Sequence, residues 1–140
     1  MEIVYSNEKY NQAAAFYLRI HAFVEEMGID IHDEFDKHDK DDTKYLVIYE
    51  NNEPIATARF QILPDDTMQP DRVCIAKNHR GKGFGEILIT ELEKQSDAKY
   101  SMLHAVLPAV HFYEKLGYEK YGDEFLEDGI PVIHMKKTLR

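Results

Sequence analysis

The chain has no tryptophan, a single cysteine and no excess of basic residues: 17 lysines and arginines stand against 26 aspartates and glutamates, a formal net charge of −9. Each shortage excludes something. One cysteine, Cys74, cannot form an internal disulfide, so a reducing cytoplasm is the expected setting. The acidic balance argues against nucleic acid as a partner, because neutralising phosphates needs a basic face. No apolar run approaches the roughly 20 residues of a membrane helix. Met1-Glu2-Ile3-Val4 also lacks the basic start and apolar core of a signal peptide, so no membrane association is expected. What remains is a chain of 140 residues, 44% apolar, long enough for one globular domain spanning 1–140 and too short for two comfortable ones.

Hydrophobic periodicity lays out the elements. Ile3 to Tyr5 reads as a short strand, with Ser6 or Asn7 capping a helix and Glu8 in its first turn. Phe16, Ile20, Phe23, Val24 and Met27 form that helix's expected buried stripe, and Gly28 ends it. Tyr45 to Tyr49 and Ile55 to Ile62 predict an antiparallel hairpin around Asn51-Asn52-Glu53-Pro54. In its second strand Ala56, Ala58, Phe60 and Ile62 share the core face, while Thr57, Arg59 and Gln61 take the other. Strand, helix and strand from Val73 through Ile87–Gln95 to Tyr100–Val106 imply a parallel pair. A further helix follows Pro108, and two strands, about Tyr118–Leu126 and Pro131–Lys137, finish the chain.

One stretch carries a ligand signal. Arg80-Gly81-Lys82-Gly83-Phe84-Gly85 lies between an apolar strand (Val73, Cys74, Ile75) and a helix. Glycines let backbone approach a ligand closely, and the helix start supplies unpaired N–H groups and a positive dipole end. Four basic residues and no acidic one between Arg72 and Gly85 reverse the chain's overall sign, as a bound phosphate group requires. Other chemistries fit less well. The P-loop spacing is absent, and these glycines stand too late, behind a hairpin, for a dinucleotide fold. Cys74 in its apolar strand reads as a small core residue rather than a nucleophile. The histidines lack zinc-ligand spacing. Asp36-x-x-Asp39-x-Asp41 lacks the glycine and distal glutamate of a calcium loop, so no metal is expected. Nine carboxylates between Glu25 and Asp42 read as a solvated loop or, more pointedly, as a mouth that attracts cations.

Arg80-x-x-Gly83-x-Gly85 resembles the acetyl-CoA signature of the GNAT superfamily of N-acetyltransferases, and Phe112-Tyr113-x-x-x-Gly117-Tyr118 resembles its second block. Ala22–Glu26, Glu34-Phe35-Asp36 and Gly122–Pro131 are similar to the ElaA/YjcF-like branch. Met27, Val106 and Val132 depart from it, standing where that branch often has Gln, Gln or Asn, and His. The resemblance implies an α/β (α+β) fold: a mixed, mostly antiparallel sheet of six to seven strands, flanked by helices and splayed at a central parallel pair. It implies acetyl-CoA as acyl donor, with the pyrophosphate held by Arg80, Gly81, Lys82, Gly83, Phe84 and Gly85. The pantetheine arm would run beside Val73, Cys74 and Ile75, where a backbone N–H supports the thioester oxygen. It implies Tyr113 as the acid that protonates the thiolate. Glu25, Glu26, Glu34 and Asp36 are the candidates to deprotonate a primary amine of a small molecule or protein, with His104 and His111 as lesser candidates. A homodimer is common in the family. A non-catalytic acyl-CoA-binding module is the alternative, and binding of a different phosphate ligand a third reading.

Overall fold

The computed structural model describes residues 1–140. Seven strands form one sheet: β1 (Glu2–Ser6), β2 (Tyr45–Glu50), β3 (Glu53–Leu63), β4 (Thr67–Ile75), β5 (Tyr100–Val106), β6 (Glu119–Glu127) and β7 (Ile130–Thr138). Four α-helices flank it: α1 (Lys9–Arg19), α2 (Ile31–Glu34), α3 (Phe84–Glu93) and α4 (Val110–Lys115). The strand order is β1-β2-β3-β4-β5-β7-β6. β4 and β5 pair in parallel through Thr67↔Tyr100 and Met68↔Ser101, joined by the crossover helix α3, as the strand–helix–strand succession predicts. The α/β fold with a mixed sheet is therefore the one observed. The chain divides into two compact units, Met1–Arg59 with Arg72–Leu92, and Phe60–Asp71 with Glu93–Arg140.

In the first unit, Asn51 (φ 50°) and Asn52 (φ 67°) make the tight turn between β2 and β3 in the left-handed region that asparagine tolerates. Helix α1 departs from its expected stripe. Ala14, Ala15, Leu18 and Ala22 enter the core beside Tyr45, Val47, Tyr49 and Cys74, while Phe16 and Phe23 are only half-buried and Met27 is 43% exposed. The small alanines let the helix backbone approach the sheet closely. After Arg19 the helix widens into a π-helical run, Ile20–Glu26, which rotates the later positions off a 3.6-residue stripe. The cap differs as well: Glu8 is the N-cap and makes no side-chain cap bond, and its N–H reaches Ser6 Oγ at 3.4 Å. Gly28 (φ 78°) ends the run as expected, donating its N–H to the Val24 carbonyl at 3.2 Å. In β3, Ile55 to Arg59 are all buried, so the expected alternation fails: Thr57 donates to the Leu46 carbonyl and Arg59 to Asp36 and Asp39, which satisfies both polar residues inside the protein; Ile62, expected in the core, is 66% exposed.

In the second unit, β5 pairs β7 along its whole length, from Tyr100↔Thr138 to Val106↔Val132, and β6 pairs β7 as the sheet edge. Asp128 and Gly129, both at positive φ, turn β6 into β7. Tyr113 is the buried residue of α4. Gly117 (φ 97°) closes that helix, and the Tyr118 N–H returns to the Tyr113 carbonyl at 3.1 Å. No helix is long and apolar enough to cross a membrane, which says nothing of strands.

Candidate active site

β4 is held at its end by the Ala76 N–H, which donates to the Ile55 carbonyl at 2.7 Å. A 3-10 turn, Lys77–His79, leads into the glycine loop. Gly81 (φ 75°) and Gly83 (φ 88°) occupy the left-handed region, and a Cβ at either would meet nothing within 4 Å. Glycine is thus demanded by backbone conformation, and the space over the loop is open. The Gly83 carbonyl accepts the Ile87 N–H at 3.4 Å, so helical bonding starts there. The unpaired N–H groups of the first turn of α3 follow directly. Lys82 is exposed beside them. The loop's electrostatics suit an anion, and its shape leaves room for one.

Arg80 is not idle in this arrangement. Its Nε donates to the Ile75 carbonyl at 2.9 Å, and Nη1 and Nη2 donate to the two oxygens of Glu26 at 2.8 and 2.9 Å. The hydrogen bond from Arg80 holds the Glu26 carboxyl below the usual glutamate range, despite slight burial that opposes it. Three of the five N–H donors of the guanidinium are engaged, leaving two for an anion.

The ends of the acidic segment are exposed, but at its centre Glu34, Asp36 and Asp39 are drawn into a cluster with arginines. Arg19 and Glu34 are fully buried and Arg59 is 1% exposed. Arg19 donates from Nε to Glu34 Oε2 at 2.9 Å and from Nη1 and Nη2 to Asp39 at 2.7 and 2.9 Å. Arg59 donates to Asp36 at 3.0 and 2.7 Å and to Asp39 at 2.7 Å, and Tyr45 Oη donates to Asp39 at 2.7 Å. Arg72 Nε lies 3.2 Å from Glu34 Oε2, an ion pair whose N–H is not aligned for a hydrogen bond. Three arginines thus balance three carboxylates. Burial works against the charge on Asp39, but the bonds from Arg19 and Tyr45 overcome it and hold the carboxyl far below its usual value. Asp36 shows the same contest, with burial outweighed by Arg59 and the His38 N–H. In Glu34 burial wins over Arg19 and the carboxyl is pushed up; its Oε1 has no hydrogen-bond partner.

These pairings sort the candidate bases. Asp36, committed to Arg59, and Glu26, committed to Arg80, are held as carboxylates and are poor proton acceptors. Glu34 has the basicity but no exposure. Glu25 is exposed, lies 2.8 Å from His21 Nδ1, and lines a cleft of about 290 Å³ with Tyr17, Glu53, Lys77 and His79. Cys74 lies in the core, where burial pushes its thiol up to about 12, so it is no nucleophile. Tyr113, in the second unit, is 8% exposed, and burial pushes its phenol up to about 12. His104 is held by Glu127 at 2.7 Å and Gln69 at 3.4 Å, and His111 is exposed on α4. Val106 and Val132 stand directly opposite each other, so the two departures make one apolar cross-strand pair. No group of three or more His, Cys, Asp or Glu is placed to hold a metal ion.

Sequence reasoning missed Arg19, Arg59, Asp39 and Arg72 as a unit. It also missed Asn11 and Gln12, buried polar residues on α1. Asn11 Nδ2 donates to the Tyr45 carbonyl at 2.8 Å, and Gln12 Nε2 reaches the carbonyls of Lys40, Asp41 and Thr43 at 2.9–3.1 Å. Each is a buried amide satisfied by main-chain carbonyls, Asn11 on β2 and Gln12 on the loop before it.

The family profile described as "Acetyltransferase (GNAT) domain" matches residues 5–139. The uncharacterized N-acetyltransferase YjcF of Bacillus subtilis is 32% identical over 141 residues, covering 98% of this chain and 99% of its own. A Lactobacillus plantarum crystal structure, provisionally described as an N-acetyltransferase, is 39% identical with a TM-score of 0.94, covering 99% of this chain and 98% of that one. Escherichia coli ElaA shares the fold at a TM-score of 0.83 and 24% identity, covering 97% and 98% of the two chains. With a match over nearly its whole length, the chain belongs to the GNAT acetyltransferase family.

Proposed function

We propose that the protein transfers an acetyl group from acetyl-CoA directly to a primary amine of a small molecule or protein. The observation that carries this reading is the loop Arg80–Gly85. Its two left-handed glycines face open space between β4 and the start of α3, in a chain of the GNAT family. Arg80, Lys82 and the N–H groups of Gly81, Gly83, Phe84 and Gly85 would hold the pyrophosphate, and Val73 to Ile75 would flank the pantetheine arm. Acetyl-CoA supplies an activated acyl carbon and a thiolate leaving group.

The remaining tasks fall to the chain. An amine with an ordinary pKa near 10.4 is neutral in only about one molecule in 10³ at pH 7, so losing its proton costs about 4–5 kcal/mol without help. Of the four carboxylates, Glu25 combines exposure with freedom from an arginine and is the acceptor we assign to that proton, directly or through water. The Tyr113 phenol, protonated through the neutral range like any tyrosine and pushed further up to about 12 by burial, would give its proton to the departing sulfur.

Incubation with acetyl-CoA and a panel of polyamines, aminoglycosides and lysine peptides, reading free thiol, tests the reading. Turnover is expected. Coenzyme A binding without turnover across the panel would favour a non-catalytic acyl-CoA-binding module, consistent with the apolar Val106–Val132 pair; stabilisation by ATP or NAD but not coenzyme A would favour another phosphate ligand. Tyr113→Phe should lower kcat about 10²-fold or more with coenzyme A affinity unchanged.

A further inference from the structure

Arg72 is the one residue of β4 in the left-handed region, at φ 49°, and it directly precedes Val73, Cys74 and Ile75. A residue with a side chain pays a steric cost there, and such a conformation persists only where its surroundings impose it. The surroundings are in view. The Arg72 guanidinium lies against Glu34 Oε2 at 3.2 Å and Asp36 Oδ2 at 3.8 Å. Glu34 is fully buried and anchored by Arg19, which donates to its side chain and to its main-chain carbonyl, both at 2.9 Å. Asp36 is anchored by Arg59. Both carboxylates are therefore fixed points, and the arginine side chain that reaches them fixes the backbone it hangs from.

We propose that Arg72 is a positioning residue: its ion pairs with Glu34 and Asp36 clamp β4 in a left-handed kink and so set the direction of the backbone N–H groups of Val73 to Ile75. The clamp would orient those groups toward the thioester oxygen, a consequence that rests on the acetyltransferase reading; the clamp itself does not.

Glycine takes the left-handed conformation without steric cost, whereas alanine pays it. Arg72→Gly and Arg72→Ala remove the same guanidinium and differ only in the Cβ, which makes the left-handed backbone costly. Hydrogen–deuterium exchange of the Val73–Ile75 amides should accelerate at least about 10-fold in Arg72→Ala and markedly less in Arg72→Gly. The corresponding loss in kcat should be about 10-fold or more for alanine and about 3-fold for glycine, with the acetyl-CoA KM little changed, because only alanine pays the steric cost of the left-handed backbone. Glu34→Gln should accelerate exchange in the native background and add little in Arg72→Gly, since the clamp is then already gone. Equal impairment of the glycine and alanine variants would overturn the proposal in favour of a direct role for the guanidinium, and native exchange in both would show the clamp to be idle. If the wild type neither turns over nor binds coenzyme A, the acetyltransferase reading fails, and the exchange comparison still decides the clamp.

Discussion

Two charged regions of the first unit contrast with each other: the buried lattice of Arg19, Arg59 and Arg72 with Glu34, Asp36 and Asp39, and the exposed loop from Arg80 to Gly85. The lattice spends its charges on itself. Arg19 alone makes four hydrogen bonds to Glu34 and Asp39. The loop keeps donors in reserve, with Lys82 exposed and Gly81 and Gly83 facing open space. Both regions use left-handed backbone, reached by opposite means: glycine allows it in the loop, and ion pairs impose it at Arg72. Charge that is satisfied builds the fold, and charge that is left over is available to a ligand.

The sharpest break of this contrast is Arg19→Leu. It strands two buried carboxylates and should cost about 3–5 kcal/mol, read as a urea midpoint lowered accordingly. Loss of coenzyme A binding without loss of stability would show that the lattice belongs to the ligand site after all. Gly83→Glu attacks the other region, adding strain at φ 88° and a negative charge where phosphate is expected. Calorimetry should show coenzyme A affinity reduced at least about 100-fold, or about 2.7 kcal/mol, while thermal stability changes far less. Unaltered affinity would move the phosphate elsewhere.

Acid titration sharpens the comparison further. Asp36 and Asp39 have carboxyls held low in the folded state, so their contribution is complete above the unfolded value near 3.9 and is lost as pH falls through their folded values. Glu34, pushed up, has the opposite sign: it opposes folding as pH rises past about 4.3. With two lowered groups against one raised, the wild type should lose stability from pH 5 toward pH 2, and Asp39→Asn should flatten that slope. An equally steep slope in the variant would place the acid sensitivity outside the lattice. The smallest effect belongs to Lys9 and Asp41, an exposed pair at 3.7 Å. Lys9→Ala should shift stability by no more than about 0.5 kcal/mol.

Much of the fold was legible because local rules and tertiary structure agree. The Asn51-Asn52 turn, the ends of β5, the Gly28 stop and the parallel β4–β5 pair follow from turn chemistry, periodicity and connection rules. Where they disagree, long-range packing prevails. The α1 stripe shifted because alanines and a π-helical run changed which face meets the sheet. Arg59 looked like the solvent side of a hairpin, yet it is buried, because its partners Asp36 and Asp39 lie 23 and 20 residues away in sequence.

The sequence by itself determined the family resemblance and the basic, glycine-rich character of Arg80 to Gly85, because a glycine loop and the helix start after it act through their own backbone. Only the tertiary structure decided which charges are free. Nine carboxylates between Glu25 and Asp42 are alike in one dimension, and a carboxylate's proton affinity depends on the arginine that folding places beside it. Glu26 meets Arg80, Asp36 meets Arg59, Glu34 is buried between Arg19 and Arg72, and Glu25 is left at the surface.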